Sequence, residues 1–179
     1  MKLVPEAVVY HRWQQYGPVI EDVKIIRLAR FSDDGGSLTE LVRLTDEGKF
    51  PSPGFSEFRV AQINYSTIEP GVIKAFHVHP DQRDVWFVPP EDRVLVVLVD
   101  TRAESKTARK VQKILLGDGG STLLSIPNGV AHGCRNVGDK PARIVYMTDV
   151  HFSPEPGKTQ EGRLPWDLVG AEIWEPAKE

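Results

Sequence analysis

A chain of 179 residues with 40% hydrophobic and 26% charged residues has the size and balance of one soluble globular domain around a single core. Its formal net charge of −3 leaves no basic footprint for nucleic acid, so an anionic ligand must be held by a local group of cations. The longest apolar run, Val94 to Val99, is too short to cross a bilayer, and the single cysteine, Cys134, excludes an internal disulfide and points to the cytoplasm.

The first twenty residues leave room for helix, with Pro5 and Glu6 interrupting any signal-peptide core, and so does "SLTELVRLTDEG", Ser37 to Gly48. Elsewhere prolines and glycines separate β-rich runs: "VKIIRLARF", "FRVAQINYS", "GVIKAFHVH", "DVWFV", "RVLVVLVD", "KVQKILLG", "STLLSIP" and "ARIVYMTDVHF". Many short strands with such turns predict an all-β sandwich or barrel. There is no repeat and no second domain: residues 1–179 form one unit, with a core over about 22–152 and a loop-rich tail, 153–179, anchored by Trp166 and Trp174.

Strand alternation sorts the side chains. In "GVIKAFHVH" it predicts Ile73, Ala75, His77 and His79 on one face, and Lys74, Phe76 and Val78 on the other. Gln62, Asn64 and Ser66 share one face of their strand, which suits either a ligand-lining wall or an exposed edge. "RVLVVLVD", apolar on both faces, predicts a strand covered on both sides. His11 and His151 have no partner pattern and read as structural or exposed, and Cys134 reads as a small buried hydrophobe.

Two spaced motifs carry the chemistry. Gly71, His77, His79 and Asp84 follow G-x5-H-x-H-x4-acid, and Pro127, Gly129, His132 and Asn136 follow P-x-G-x2-H-x3-N. Together they resemble the two-part signature of the cupins. That resemblance implies a double-stranded jelly-roll barrel with short peripheral helices, in which a Pro/Gly turn aims His132 back into the space that holds His77.

A second resemblance runs from roughly Phe31 to Trp174. "FSDDGGSLTE", "QINYSTIEPGVIKAFH", "VDTRAESKT", "IPNGVAHG", "YMTDVHFSPE" and "WDLVGAEIW" are similar, in order and spacing, to motifs of the dTDP-4-dehydrorhamnose 3,5-epimerase family. The resemblance implies a homodimeric enzyme without cofactor, acting on a dTDP-4-keto-6-deoxyhexose. It implies His77 as general base, Tyr146 as the opposing acid, and Gln62, Asn64, Lys74, His132, Glu40 and Phe152 as substrate-binding residues. The roles make chemical sense. A 4-keto group acidifies the neighbouring C–H bonds, histidine titrates near working pH, and the developing enolate oxygen needs a donor or cation. Five features differ from the family: Asp84 stands where it has lysine, Gly35 and Lys74 where it has arginines, Phe152 where it has tyrosine, and no C-terminal aspartate follows to orient the base.

Two further readings stand beside this one. His77, His79, Asp84 and His132 supply three nitrogens and a carboxylate, a set suited to one Zn, Fe, Mn or Ni ion. That would be a metal-dependent cupin enzyme such as a dioxygenase or sugar isomerase, and His79 is then a ligand rather than a lining residue. The other is a sugar- or nucleotide-binding cupin without catalysis. None of the three involves nucleic acid or a membrane.

Overall fold

The computed structural model describes residues 19–50, 55, 58–153, 155 and 161–176. The expectations for residues 1–18, His11 included, lie outside them. The described chain is almost entirely β: β1 (Lys24–Arg27), β2 (Arg30–Asp33), β3 (Gly36–Thr39), β4 (Gln62–Ile68), β5 (Ile73–Val78), β6 (Asp84–Phe87), β7 (Arg93–Asp100), β8 (Val111–Gly117), β9 (Thr122–Ile126), β10 (Val130–Asn136), β11 (Ala142–Thr148) and β12 (Gly162–Arg163). One five-stranded sheet has the order β1-β9-β6-β11-β4 and a second the order β12-β5-β10-β7-β8. Every pairing is antiparallel. Strands β2 and β3 form a hairpin of their own. This is the expected jelly-roll.

Alternation explains how the sheets close on each other. Along β8, buried Gln112, Ile114 and Leu116 alternate with partly exposed residues. Along β7 all but Arg93 are buried, because Val94, Val96 and Leu98 face the inner core while Val97 and Val99 face an outer one. The inner core joins both sheets through Trp86, Leu124, Ile126, Cys134 and Ile144. Outside the first sheet, Val85, Phe87, Leu123 and Met147 are capped by Phe50, Phe55 and Phe58. Outside the second, Phe76 lies 5.3 Å from Trp174, ring centre to ring centre.

Trp174 closes a short 3-10 turn, Ala171–Trp174, and is the anchor expected of the tail. Trp166 is not, being 48% exposed; it contributes its carbonyl, which accepts the Trp174 indole N–H at 2.8 Å. The stretch Ser37–Gly48 holds the strand β3 and a turn rather than a helix. Leu41 and Val42 pack on the phenylalanine cluster, and the Thr45 carbonyl and hydroxyl oxygens accept the Gly48 and Lys49 N–H groups. The "DTRAESKT" motif is structural. Asp100, at the end of β7, accepts bonds from Arg102, Ser105 and Thr107, and Arg102 reaches on to Asp22 and the Glu21 carbonyl.

One irregularity matters for the site. Strand β5 pairs with β10 through His77↔His132, then Lys74↔Cys134 and Ile73↔Arg135. Three steps on β5 thus oppose two on β10, a β-bulge of one extra residue. The bulge inverts the predicted parity at Lys74, which turns to the side of His77, while Ile73 and Ala75 pack outward with Phe76 and Val78. Gly133 makes it possible: a Cβ there would overlap the Ala75 side chain and approach Trp174 Cη2 to 2.9 Å.

Candidate active site

A cavity of about 370 Å³ opens between the two sheets, a volume within the usual range for small-molecule sites. Strands β4, β6 and β11 supply Gln62, Asn64, Asp84, Trp86 and Tyr146 from the first sheet. Strands β5 and β10 supply Lys74, His77 and His132 from the second, with His79 just beyond β5. The polar face of β4 is therefore a lining wall, and its apolar alternates Ile63 and Tyr65 point outward. Gln62 donates to Asn64 Oδ1 at 2.7 Å and accepts the Phe152 N–H at 3.0 Å. Phe152, 59% exposed, sits at the mouth. Lys74, also at the exposed end, donates to the Thr67 carbonyl at 3.0 Å.

His77 and Tyr146 face the cavity from opposite sheets. Burial pushes the His77 pKa down, which favours the neutral ring, with the Glu161 carboxylate opposing that change. Burial also pushes the Tyr146 phenol up, helped by the charges of Asp84 and Glu161, which keeps its proton in place. The ring of Tyr146 rests 6.3 Å from Trp86.

Glu161 is the residue that sequence reasoning missed. Its Oε1 lies 3.5 Å from His77 Nδ1, and Arg163 Nε binds the same carboxylate at 2.9 Å. It arrives because the two-residue strand β12 adds to the edge of β5, Gly162 opposite Val78 and Arg163 opposite His77. A Cβ at Gly162 would come within 2.9 Å of Val78 Cγ1, so a larger residue there would have to displace that side chain. That glycine, beside a carboxylate in a proline-rich tail, is the one sequence signal for the approach.

Deeper in the cavity, His79, Asp84 and His132 are all buried, and one potential ligand atom of each lies within 4.8 Å of the others. The ring of His132 is 5.3 Å from that of His79 and 5.3 Å from Trp86. Its Nδ1 donates to the Val130 carbonyl at 3.1 Å, and its Nε2 stands 3.6 Å from Asp84 Oδ2. Burial pushes the His132 pKa down. Asp84 accepts bonds from Gln82 at 2.7 Å and from the Trp86 indole at 3.1 Å. His77 does not join this group, so the four-residue metal set expected from the motifs contracts to three: its Nδ1 turns to Glu161, and its ring centre is 6.3 Å from that of His132.

Other candidates fall elsewhere. Glu40 is not among the lining residues and pairs with Arg43 at 2.6 Å. Arg83, next to Asp84 in sequence, binds Asp149 through its backbone N–H and Nε and lies over Phe58. Asn136 fastens a turn by donating to the Ile68 and Lys140 carbonyls. Cys134 is a buried wall residue whose thiol burial pushes up to about 12, which removes it as a nucleophile. His151 is exposed and donates from Nε2 to the Ala61 carbonyl at 3.0 Å.

The family model for dTDP-4-dehydrorhamnose 3,5-epimerase matches residues 18–169. The spore coat polysaccharide biosynthesis protein SpsL of Bacillus subtilis is 41% identical over 149 residues, covering 83% of this chain and 91% of that protein. Among solved structures, a dTDP sugar isomerase from Desulfovibrio desulfuricans superposes with a TM-score of 0.70 at 30% identity, covering 84% of this chain and 88% of its own. The fold is shared as well by NovW, a 4-keto-6-deoxy sugar epimerase from Streptomyces spheroides (TM-score 0.73, 24% identity, 91% and 79% coverage).

Proposed function

The chain belongs to the dTDP-4-dehydrorhamnose 3,5-epimerase family, and we propose that it epimerises a dTDP-4-keto-6-deoxyhexose next to the keto group. The reading rests on one observation above all: an imidazole and a phenol, His77 and Tyr146, face the same cavity from opposed sheets, and burial lowers the pKa of the first and raises that of the second. Inversion at carbon needs a base on one side of the sugar ring and an acid on the other.

The Glu161 carboxylate beside Nδ1 of His77 favours the proton on that nitrogen electrostatically and leaves the Nε2 lone pair for the substrate. Nε2 takes the proton from C3 or C5. The C–H electron pair becomes the enolate double bond, and the carbonyl pair moves to the C4 oxygen. The Tyr146 hydroxyl then delivers a proton to the opposite face, the C4 carbonyl reforms, and exchange with water restores both side chains. No electron carrier enters the balance. Gln62 and Asn64 bind the sugar beside the wall that His132 lines, Lys74 at the exposed end meets the diphosphate, and Phe152 at the mouth stacks on the base. A homodimer in the cytoplasm is part of this reading. The exposed apolar pairs Phe31/Leu38 and Ile63/Tyr65 support the first element, and the free thiol of Cys134 suits the second.

The test is incubation with dTDP-4-keto-6-deoxyglucose in D2O, followed by NMR. Deuterium is expected at C3 or C5, with the rate reduced on the order of 100- to 10,000-fold in His77→Ala. Tight dTDP binding without exchange would instead identify a sugar-binding protein, and unchanged exchange in His77→Ala would remove His77 as the base.

A further inference from the structure

We propose that His79, Asp84 and His132 bind one divalent first-row transition-metal ion on the cavity wall, with coordination positions open to the substrate. The three residues are 8%, 3% and 4% exposed, and a ligand atom of each falls within 4.8 Å of the others. Ligands held at about 2.1 Å from one ion stand roughly 3–4 Å apart.

The pair at the centre of this group makes the case. His132 Nδ1 faces a carbonyl oxygen, which can only accept, so in the neutral ring the proton sits there and the lone pair is on Nε2. That lone pair points toward Asp84 Oδ2 at 3.6 Å. The separation is too long for an N–H···O bond. With Nδ1 engaged by the Val130 carbonyl, Nε2 is the nitrogen turned to the carboxylate, and the spacing suits two ligands of one ion.

The surroundings agree. Ligating histidines usually donate their second nitrogen to a carbonyl or carboxylate, and ligating carboxylates are themselves held by hydrogen bonds. Here Val130 holds His132, and Gln82 and Trp86 hold Asp84. Two imidazoles and a carboxylate select Zn(II), Fe(II), Co(II), Ni(II) or Mn(II) over the all-oxygen ions Mg(II) and Ca(II).

The cavity also has a use for such a charge. Among its described lining residues the one lysine or arginine is Lys74, at the exposed end and bonded to Thr67, while Arg83 is spent on Asp149. A divalent ion on Asp84 leaves a net positive charge deep in the cavity, where it polarises the C4 carbonyl and receives the enolate charge. This catalytic part rests on the epimerase reading; metal binding itself does not.

The experiment strips the full-length protein with a chelator and titrates it with Co(II) and Zn(II). Calorimetry, the visible spectrum of Co(II) and quenching of tryptophan emission (Trp86 bonds to Asp84) report binding. One ion per chain is expected. Affinity should fall at least tenfold in Asp84→Asn and in His79→Gln, each with wild-type circular dichroism, and should persist in His77→Ala. The absence of saturable binding to the stripped protein, or binding unchanged in both ligand variants, would overturn the site. Deuterium exchange is then compared in stripped and reloaded protein, with at least a tenfold gain expected on reloading. Full exchange by stripped protein would remove the ion from catalysis and leave the epimerase reading standing, whereas no exchange in either form, with metal bound, would overturn the epimerase reading and leave the site.

Discussion

Glu161 gives the base of this site its direction. It lies 3.5 Å from Nδ1 of His77, brought there from outside the strand that carries the histidine, and its negative charge resists the lowering of the His77 pKa by burial, a lowering to which Arg163 contributes. The sign of the pH dependence follows. His77 acts as a base when neutral, and its pKa lies below the ordinary imidazole value of about 6.5, so the acid limb of kcat/KM is expected below that pH. Glu161→Gln removes the opposing charge and frees Arg163, so the limb moves to still lower pH, while kcat falls by at least about tenfold because the ring loses its orienting partner. A pH–rate profile of both proteins checks this, and a shift to higher pH in the variant would contradict it. His77 was legible in the sequence from strand parity, and His132 and Tyr146 from the motifs that resemble the cupin and epimerase families. Glu161 was not, because a two-residue strand has no period to read and its partner, β5, is remote in sequence.

The bulge in β5 decides which side chains of that strand reach the cavity. Period-two reasoning is right for His77 and His79, which lie on one side of the extra residue, and wrong for Lys74, which lies on the other. Parity carries no information about where a bulge falls. The deciding contact comes from the neighbouring strand, where Gly133 leaves room for Ala75 and for the tip of Trp174. Gly133→Ala should therefore force β5, β10 and the Trp174 anchor apart, at a cost of about 1–3 kcal/mol for overpacking. Urea unfolding monitored by fluorescence measures it as a lower midpoint at unchanged slope. Because Lys74 lies on the far side of the bulge, the variant should also bind dTDP more weakly. Wild-type stability in this variant would show that the strand tolerates the side chain and that the bulge has another origin. The other elements were legible for a simpler reason: β4, β7 and β8 are long enough for their alternation, or its absence, to declare which faces are covered.

Among the described residues, two sets of apolar side chains stay uncovered, one on the hairpin and one on the edge of the first sheet. The hairpin β2–β3 pairs with neither sheet, and its cross-strand neighbours Phe31 and Leu38 are 65% and 68% exposed. An isolated two-stranded hairpin is marginal in water unless something packs on it. On the first sheet, β4 is an edge strand whose outward residues Ile63 and Tyr65 are 63% and 64% exposed, and exposed apolar edges invite pairing with another chain. In the proposed homodimer a second copy covers both features. Full burial of a large apolar side chain contributes about 1.5–3 kcal/mol. The double variant Phe31→Ser/Tyr65→Glu should therefore raise the dimer Kd on the order of 100-fold or more, with circular dichroism unchanged because neither residue belongs to a core. Sedimentation equilibrium reads the result directly. The wild type is expected at twice the mass of the chain and the variant as monomer over the same concentrations. A monomeric wild type would mean that these residues are exposed for another reason, and would remove the second copy from the proposal.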